Sequence, residues 1–334
     1  MTLSAGVAAS TAPRSSSPLV TVFVACYNHA RFVVQALESV RLQGYPNVQL
    51  IVTDDCSKDD SVSVIRTWLD AHWPDALFLA HPRNLGICRT FNEIVGHAKG
   101  KYVSGFSADD VWLPGRLVAH VAYMETQPEN VGVLYGDAYQ IDEHGRRLPQ
   151  LFNAAHRNLP TLPQGWIFDA LIEGNFVPAM TTLVRRRCYE VVGGYDESLA
   201  FEDWDMWLRI SRSFQFHVWP QPSAEYRVLS TSMMRTQSEA IRRSGERILL
   251  KCLREGWLIG RMRAVARRID HDYARESYRQ KTTTRFDEVR TCFQRNPSPG
   301  NLLLLACCFS RVPADWYFGL VGIARKIKRT TVGA

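Results

Sequence analysis

Four short runs of apolar and β-branched residues recur within the first 110 positions, and a segment with helically spaced apolar residues follows each of the first three. Runs of this length predict buried strands, and apolar residues that recur every three to four positions predict helices packed on a sheet. Strands that alternate with helices in this way indicate a mainly parallel sheet covered on both faces. Strands are expected at 19–24, 48–53, 76–80 and 101–106, and helices at 30–43, 61–69 and 86–98.

Beyond residue 114 the pattern is less regular, but it still indicates an α/β fold. The chain divides into a disordered leader at 1–17, a sheet-based domain at 18–235 and a basic, mostly helical C-terminal region at 236–334. Within the second half of the sheet-based domain we expect a helix at 117–126, a long strand at 131–141, a hairpin turn at 142–145, a surface loop at 149–165, a strand at 180–184 and a helix at 204–213.

Composition narrows the class of protein. The 334 residues are 46% hydrophobic and 22% charged, which is typical of a globular protein. No stretch approaches the roughly 18 consecutive apolar residues of a membrane-spanning helix. Residues 1–17 lack the basic start and apolar core of a secretory signal peptide. The eight cysteines show no metal-ligand spacing, so we expect reduced thiols that serve mostly in packing, in a cytoplasmic protein.

Positive charge is concentrated in the C-terminal third of the chain. Residues 235–334 hold 21 Lys and Arg against 9 Asp and Glu, a net charge of +12. Because the whole chain carries +7, residues 1–234 carry a net charge of −5. The acidic part suits a cation site. The basic part suits either an anionic surface, such as lipid headgroups or a phosphate-bearing acceptor, or a solvated helical face.

The candidate chemistry lies in three acidic pairs, which are Asp54-Asp55, Asp109-Asp110 and Glu202-Asp203. The first two pairs follow predicted strands, and the third opens a predicted amphipathic helix. Carboxylates at strand ends can converge in one cleft, because an open α/β sheet binds ligands outside the carboxyl ends of its strands. Three such pairs suit a metal ion, a nucleotide and a proton to be removed. This combination indicates transfer chemistry on a nucleotide-activated substrate.

Six motifs around these pairs resemble family 2 glycosyltransferases of the GT-A fold. They occur in the family's order and at its spacings between residues 20 and 232. The resemblance implies a Rossmann-like GT-A sheet, a nucleotide-diphosphate sugar as donor and an inverting transfer. The motifs read Val-Ala-Cys-Tyr-Asn-His (24–29), Ile-Val-Thr-Asp-Asp-Cys-Ser-Lys-Asp (51–59), Arg-Asn-Leu-Gly (83–86), Ser-Ala-Asp-Asp (107–110), Gly-Gly-Tyr-Asp-Glu (193–197) and Glu-Asp-Trp-Asp-Met-Trp (202–207).

The resemblance assigns the first three motifs to the nucleotide. Ala25, Tyr27 and Asn28 match the strand end where the family holds the base. Asp55 matches the carboxylate that accepts a hydrogen bond from a uracil-type imide N–H, and an ionised acceptor strengthens such a bond. A UDP-sugar is therefore the favoured donor. The third motif matches the segment that passes under the nucleotide, and it supplies Asn84 and Gly86. It also supplies Arg83, which would contact either a phosphate or solvent.

The resemblance assigns Asp109 and Asp110 to a divalent cation, Mn²⁺ or Mg²⁺. Such a hard cation prefers oxygen ligands and often binds through one or two carboxylates plus substrate phosphates. It would offset the charge that builds on the departing diphosphate. Asp110 is expected to be the direct ligand, and Asp109 is expected to contact the ribose or a metal-bound water. The structural alternative for the pair is a helix N-cap alone.

The sixth motif supplies the expected general base. Asp203 would take the proton of the acceptor hydroxyl, which requires a heavy-atom distance of roughly 3 Å in the ternary complex. Glu202 would bind the acceptor or orient Asp203, and Trp204 would flank the acceptor sugar. Both carboxylates would also be favoured by the positive end of the helix that begins there, so a purely structural role is the alternative.

The chain departs from the family at one ligand. After the last strand the family often shows Tyr-Arg-x-His, whose His helps to hold the metal or the diphosphate, and this chain has Leu229 at that place. Arg227 or Arg235 could bind the diphosphate instead, because a guanidinium matches phosphate geometry well. The resemblance assigns no role to four histidines, which we interpret as structural or exposed. They are His29, His97, His120 and His217.

The segment at 315–328 combines aromatic and aliphatic side chains with a cationic end. Such a segment suits a helix that lies in the membrane interface, at the inner face of the cell membrane. The alternative is a helix packed on the catalytic domain with a solvated basic end. The cations at this end are Arg325, Lys326, Lys328 and Arg329.

The resemblance implies a metal-dependent inverting glycosyltransferase. Together with the basic C-terminal region, it implies a glycan or lipid-linked acceptor in polysaccharide or lipopolysaccharide synthesis. The alternative is a non-catalytic member of the same fold that binds a nucleotide sugar or a glycan, and Leu229 is its support. A nucleotidyltransferase is disfavoured by the segment at 202–204 and by the lack of a glycine-rich basic loop after the first strand. No dehydrogenase fingerprint is present, and no nucleic-acid partner is expected.

Overall fold

The computed structural model describes residues 17–309, apart from 157–158, 160, 233–235, 237, most of 259–284, 296 and 298. The described residues fall into two compact units, divided between Gln237 and Ser238. The predicted leader, except for its last residue, and the predicted interfacial segment at 315–328 lie outside the described residues.

The first unit is built on a seven-stranded sheet, and it confirms the predicted mainly parallel α/β arrangement. Four of the six neighbouring strand pairs are parallel, and one short strand runs against both of its neighbours. In spatial order the strands are β10 (Gln215–Val218), β6 (Val131–Tyr135), β9 (Leu183–Arg185), β4 (Tyr102–Ser107), β1 (Val20–Cys26), β2 (Val48–Asp54) and β3 (Leu77–Ala80).

Helices cover the sheet because their apolar residues recur at helical spacing. In the first helix Val33, Ala36, Leu37 and Val40 are all buried, and they share one apolar core with residues of β1. Each fully buried side chain of the size of Val or Leu stabilises the fold by about 1.5–3 kcal/mol relative to an exposed one. The helices of this unit are α1 (Val33–Arg41), α2 (Ser61–His72), α3 (Ile87–His97), α4 (Arg116–Glu125), α5 (Phe152–His156), α6 (Phe168–Ile172), α7 (Arg187–Val192) and α8 (Asp203–Ser211).

A second sheet of four strands stands beside the first, and the sequence pattern did not predict it. The predicted long strand at 131–141 is divided between the two sheets at Gly136 and Asp137, and much of the first half of the predicted loop at 149–165 is strand and helix. The predicted turn at 142–145 is confirmed, since the strands on either side pair in antiparallel fashion. The strands are β5 (Val111–Trp112), β11 (Ala224–Arg227), β7 (Ala138–Ile141) and β8 (Arg147–Leu151).

The second unit is helical where the structure describes it. The helices described over their whole length are Ser238–Arg254, Arg285–Arg295 and Pro299–Phe309. The last two contribute Val289, Cys292 and Leu304 to a small apolar core. Among all described residues, the structure contains no helix with the length and apolar character needed to cross a membrane.

Helix α4 carries two basic side chains one turn apart into the protein interior. The Arg116 guanidinium donates to the carbonyl oxygen of Thr181 at 2.7 Å and lies 4.1 Å from the ring of Trp112, and burial lowers its pKa to about 9. His120 is fully buried, and neither ring nitrogen has a hydrogen-bond partner among the described residues. Burial, and then the nearby charge of Arg116, hold the pKa of His120 well below its ordinary value.

Replacing His120 with Leu should stabilise the protein selectively in acid. The folded protein keeps this ring neutral, so below the ordinary pKa of 6.5 only the unfolded chain takes up the proton, and the free energy of unfolding falls as the pH falls. His120→Leu removes this loss. Relative to wild type, its free energy of unfolding should rise by up to about 1.4 kcal/mol for each pH unit below that value. Urea denaturation at pH 7.5 and at pH 5 measures the difference.

The matched control is His97→Leu on the exposed face of α3. It should show no comparable pH-dependent gain, because its ring is exposed to solvent in the folded protein. The interpretation of His120 is contradicted if its variant differs from wild type by the same amount at both pH values.

Candidate active site

The parallel register brings three strand ends to one edge of the large sheet. Cys26 pairs with Asp54, and Ala25 pairs with Ser107, so β1, β2 and β4 end side by side. The segments that leave these strands carry the first, second and fourth sequence motifs. The acidic pairs at 54–55 and 109–110 therefore lie at the same carboxyl edge.

The turn after β1 is held by Asn28, one of the three residues predicted to meet the base. Asn28 adopts the left-handed conformation at φ 58°, which asparagine tolerates better than most residues. Its backbone N–H donates to Ser57 Oγ at 2.8 Å, and its Oδ1 accepts the backbone N–H of Lys58 at 2.7 Å. Asn28 thus ties the turn to the loop after β2. Of the other two residues, Ala25 is half-buried and Tyr27 is exposed.

Asp55 fixes the third motif at the same edge. Its carboxylate accepts the backbone N–H of Leu85 at 2.7 Å and of Gly86 at 2.9 Å. The side-chain amide of Asn84 donates to the backbone carbonyl of Asp55 at 3.0 Å, and Arg83 is exposed. A carboxylate offers about four lone-pair directions. The predicted hydrogen bond from a nucleotide base would therefore go to the Asp55 carboxylate, which already accepts the two backbone N–H groups.

His81, directly after β3, is a residue that the sequence motifs did not single out. Its buried ring has Nδ1 at 2.8 Å from the carboxylate of Asp55 and Nε2 at 2.8 Å from that of Glu93. His81 therefore links the Asp55 loop to α3. The available signal in the sequence was its place between a predicted strand end and the third motif.

The fourth motif places one carboxylate at the surface of the edge and the other beneath it. The side chain of Asp109 is 14% exposed, and Asp110 is 4% exposed. Asp110 Oδ1 accepts the backbone N–H of Arg227 at 2.9 Å, while its Oδ2 makes no hydrogen bond to the described part of the chain. Burial, and then the charge of Asp109, raise the pKa of Asp110 well above its ordinary value. A nearby cation would relieve both effects.

Arg227, at the end of β11, holds this acidic loop to the second sheet. Its guanidinium donates to the carbonyl of Asp109 at 2.8 Å, to the carbonyl of Asp142 at 3.1 Å and to Gln35 Oε1 at 2.8 Å. It also lies 4.5 Å from the ring of Phe32, and the whole residue is only 2% exposed. All three guanidinium nitrogens face chain oxygens. This placement favours a positioning role for Arg227 over the predicted contact with the diphosphate.

His29, interpreted from the sequence as structural or exposed, lies beside the acidic pair. Its Nδ1 is 3.6 Å from Asp109 Oδ1, too far for a hydrogen bond, and this buried atom has no hydrogen-bond partner among the described residues. The backbone N–H of His29 donates to Ser61 Oγ at 3.1 Å, and its carbonyl accepts the N–H of Phe32 at 2.9 Å. A fixed turn thus holds an unpaired ring nitrogen next to Asp109.

Helix α8 begins at the predicted base, Asp203. The side-chain amide of Asn175 donates to Asp203 Oδ2 at 2.7 Å and so orients the carboxylate. The indole N–H of Trp204 donates to the carbonyl of Leu171 at 2.8 Å, which fixes this ring against α6. Burial, and then the charge of Asp203, raise the pKa of Glu202 to about 8. Glu202 is therefore mostly protonated at neutral pH and is a poor candidate for the base.

The loop that precedes α8 packs on α3. The amide of Asn92 donates to the carbonyl of Tyr195 at 3.0 Å, and the thiol of Cys88 lies 3.5 Å from the carbonyl of Leu199. Helix α3 itself starts right after Gly86, which Asp55 holds at the sheet edge. One helix therefore connects the segment predicted for the nucleotide with the segment predicted for the base.

The other positions that the sequence linked to the metal or the diphosphate supply no further ligand among the described residues. Leu229, where the family often has His, is buried and apolar, and Arg235 lies outside the described residues. Among the described residues, no three His, Cys, Asp or Glu side chains are grouped so that they could hold a metal ion. A cation here would take one or two side chains from the chain and complete its shell with substrate and water oxygens, as hard cations commonly do.

Comparison with known proteins identifies the family. The model for glycosyl transferase family 2 matches residues 21–191, about half of the chain. EpsE of Bacillus subtilis (strain 168), named as a glycosyltransferase, is 29% identical over 199 residues, which are 58% of this chain and 67% of EpsE. WcaA of Escherichia coli (strain K12), named for colanic acid biosynthesis, is 29% identical over 125 residues, which are 37% of this chain and 44% of WcaA. Several other curated relatives are matched over only 28% to 59% of their own length.

Two solved structures are similar along most of the chain. A mannosyltransferase from Pyrobaculum calidifontis, PcManGT in complex with GDP-Man and Mn²⁺, has a TM-score of 0.53 and 18% identity, over 91% of this chain and 84% of its own. S. aureus TarS 1-349 in complex with UDP-GlcNAc has a TM-score of 0.57 and 14% identity, over 92% of each chain. These similarities show a shared GT-A fold. With the family model matched over half of its length, the chain belongs to glycosyltransferase family 2.

Proposed function

We propose that this glycosyltransferase moves a sugar from a nucleotide-diphosphate donor to an acceptor hydroxyl, with a divalent cation and with inversion at the anomeric carbon. The observation that carries the proposal is the placement of Asp109 and Asp110 at the carboxyl edge of the sheet. Asp203 lies at the start of α8, is oriented by Asn175, and is the second acidic centre of the same unit. One centre would face the departing diphosphate, and the other would face the incoming hydroxyl.

The donor would lie along the carboxyl edge of β1, β2 and β4. The exposed Tyr27 ring can stack on a base, and the Asp55 carboxylate has a lone-pair direction left for an imide N–H. This chemistry favours uracil, and TarS is a structural neighbour whose complex contains UDP-GlcNAc. The complex of the other neighbour contains GDP-Man, so guanine is the competing base.

The residues at the edge fit a divalent cation. Within the described residues, the Asp109 carboxylate accepts no hydrogen bond, and one oxygen of Asp110 has no partner. A bound cation would supply positive charge where the leaving diphosphate becomes more negative. The two carboxylates would hold it and orient the diphosphate, and Arg227 would keep their loop in place.

Asp203 would act as the general base. The acceptor oxygen attacks the anomeric carbon from the face opposite the diphosphate, its proton passes to Asp203, and the bond to the diphosphate breaks with its electron pair. The hydrogen bond from Asn175 orients the carboxylate for this transfer. Glu202, protonated at neutral pH, could donate a hydrogen bond to the acceptor while leaving Asp203 as the charged partner.

The acceptor would be a glycan or a lipid-linked glycan, in the synthesis of a polysaccharide or lipopolysaccharide. The similarity to WcaA, named for colanic acid biosynthesis, supports a polysaccharide product. The net charge of +12 on residues 235–334 supports an acceptor that carries phosphate or sits at an anionic membrane on the cytoplasmic side.

Asp203→Asn should remove transfer and preserve donor binding. Loss of a general base commonly costs about 10²–10⁴-fold in rate, while the nucleotide contacts at the other centre remain. The assay is release of UDP from a panel of UDP-sugars, with and without a cell-envelope glycolipid extract, beside calorimetry with UDP. Asp70→Asn on the exposed face of α2 is the matched control. A variant that turns over at the wild-type rate would exclude Asp203 as the base, and a wild type that binds without turnover would favour the non-catalytic alternative.

Asp110→Asn should abolish the effect of the cation on nucleotide binding. In the wild type we expect Mn²⁺ to tighten UDP binding by about tenfold or more, which corresponds to about 1.4 kcal/mol. The isosteric variant keeps the shape of the site and removes the buried charge, so UDP should bind equally with and without Mn²⁺. Isothermal titration with UDP and GDP measures this and also identifies the base. An unchanged response to Mn²⁺ in the variant would place the cation elsewhere.

Glu202→Gln should stabilise the protein selectively at alkaline pH. The folded pKa of about 8 lies above the ordinary value of 4.5, so between these values the folded protein keeps a proton that the unfolded chain has lost. The free energy of unfolding therefore falls as the pH rises through this window. The gain in Tm of the variant over wild type should be larger at pH 8.5 than at pH 5.

The matched control for Glu202→Gln is Glu197→Gln, an exposed carboxylate in the same loop. Its difference from wild type should be nearly the same at both pH values. An equally flat difference for Glu202→Gln would contradict the assignment of a protonated Glu202.

A further inference from the structure

The unpaired ring nitrogen of His29 is not explained by the nucleotide, cation or base roles described above. Its side chain is 22% exposed, yet Nδ1 itself is buried and has no hydrogen-bond partner among the described residues. A buried polar atom without a partner costs about 1–3 kcal/mol. Such an atom therefore indicates a partner beyond the described residues, and a bound ligand can supply it.

The distance between His29 and Asp109 suits a shared cation. Nδ1 and Oδ1 are 3.6 Å apart, too far for a hydrogen bond between them. Imidazole nitrogen and carboxylate oxygen bind small divalent cations at about 2.1 Å. Two atoms at that distance from one cation are about 3.0 Å apart at a right angle and about 3.6 Å apart at an angle of roughly 118°. The two side chains therefore need little movement to bind the same ion.

The turn after β1 keeps the His29 ring in this position. Ser61 Oγ accepts its backbone N–H, and the amides of Phe32 and Val33 donate to its carbonyl. The Phe32 ring packs edge-on against the imidazole, with ring centroids 6.3 Å apart. The side chain is thus oriented before any ligand arrives, which lowers the entropic cost of binding.

We propose that His29 Nδ1 and Asp109 Oδ1 together bind the divalent cation of the donor complex. This inference rests on the proposed function. The proton of the ring is then on Nε2, and the lone pair of Nδ1 faces the ion. Asp110 adds negative charge to the same ion from beneath. Diphosphate and water oxygens complete the shell.

A nitrogen ligand has a consequence for the choice of metal. Mg²⁺ strongly prefers an all-oxygen shell, whereas transition-metal ions tolerate imidazole better, and Mn²⁺ is intermediate. The His29–Asp109 pair therefore makes the site selective for Mn²⁺ over Mg²⁺. Replacement of His29 by an amide that offers oxygen should remove this preference and leave weaker binding of both ions.

The test is pulsed electron paramagnetic resonance of Mn²⁺ bound to the full-length protein with UDP. Electron spin echo modulation detects a nitrogen bonded directly to Mn²⁺, and it needs no turnover. The variants are His29→Gln and His29→Asn, with His97→Gln on the exposed face of α3 as the matched control. Calorimetric titration of each protein with Mn²⁺ and with Mg²⁺ gives the selectivity for Mn²⁺ over Mg²⁺. Thermal melting verifies that each variant is folded.

We expect nitrogen modulation in the wild type and in His97→Gln, and its loss in both His29 variants, with Mn²⁺ binding weakened about tenfold. The inference is overturned if wild-type Mn²⁺ shows no nitrogen modulation, or if the His29 variants retain it. Asp109→Asn separates this failure from failure of the proposed function. If it weakens Mn²⁺ binding while nitrogen modulation is absent in the wild type, the acidic cation site stands and the role of His29 is wrong. If the wild type does not bind Mn²⁺, both are wrong.

Discussion

The parallel register of β1 with β2 and β4 is the constraint on which the candidate active site depends. It places Cys26 beside Asp54 and Ala25 beside Ser107, so the segments that follow emerge at one edge. A shift of one residue in any of these strands would turn its side chains to the opposite face and move the acidic pairs apart. The loops are then locked by polar contacts made with the backbone. Asn28 holds the loop after β2, and Asp55 holds the segment that opens α3.

Two buried carboxylates close together destabilise the folded protein when both are charged, and the surrounding residues offset this repulsion only in part. Arg227 approaches the fourth motif from the second sheet. Its guanidinium, however, donates to two backbone carbonyls and an amide oxygen, not to a carboxylate. The raised pKa of Asp110 and the raised pKa of Glu202 show that burial and a neighbouring acid oppose ionisation at both acidic centres. Binding of a cation and a donor would relieve this opposition at the first centre. Neighbouring buried acids with raised pKa values are typical of functional sites.

The sequence was sufficient to predict the alternating strands and helices, the family, and the placement of the first two acidic pairs at one edge of the sheet. Each of these depends on local periodicity or on motifs that lie close to strand ends. It did not predict the second sheet, since the apolar run at 131–141 continues across the break at Gly136. Nor did it identify His29, His81 or Asn175 as partners of the acidic residues. Their contacts join positions 26 to 80 residues apart, and no periodicity records such pairs.

The most direct test of a shared donor and cation site at the carboxyl edge is a crystal structure with UDP and Mn²⁺, with data collected at a wavelength where manganese scatters anomalously. We predict one anomalous peak at about 2–2.5 Å from an oxygen of Asp109 or Asp110, in contact with both phosphates of UDP. The uracil should lie near Tyr27 and Asp55, so that the free phosphate end points toward Asp203. A manganese peak away from both carboxylates, or UDP bound away from the ends of β1, β2 and β4, would contradict the site described here.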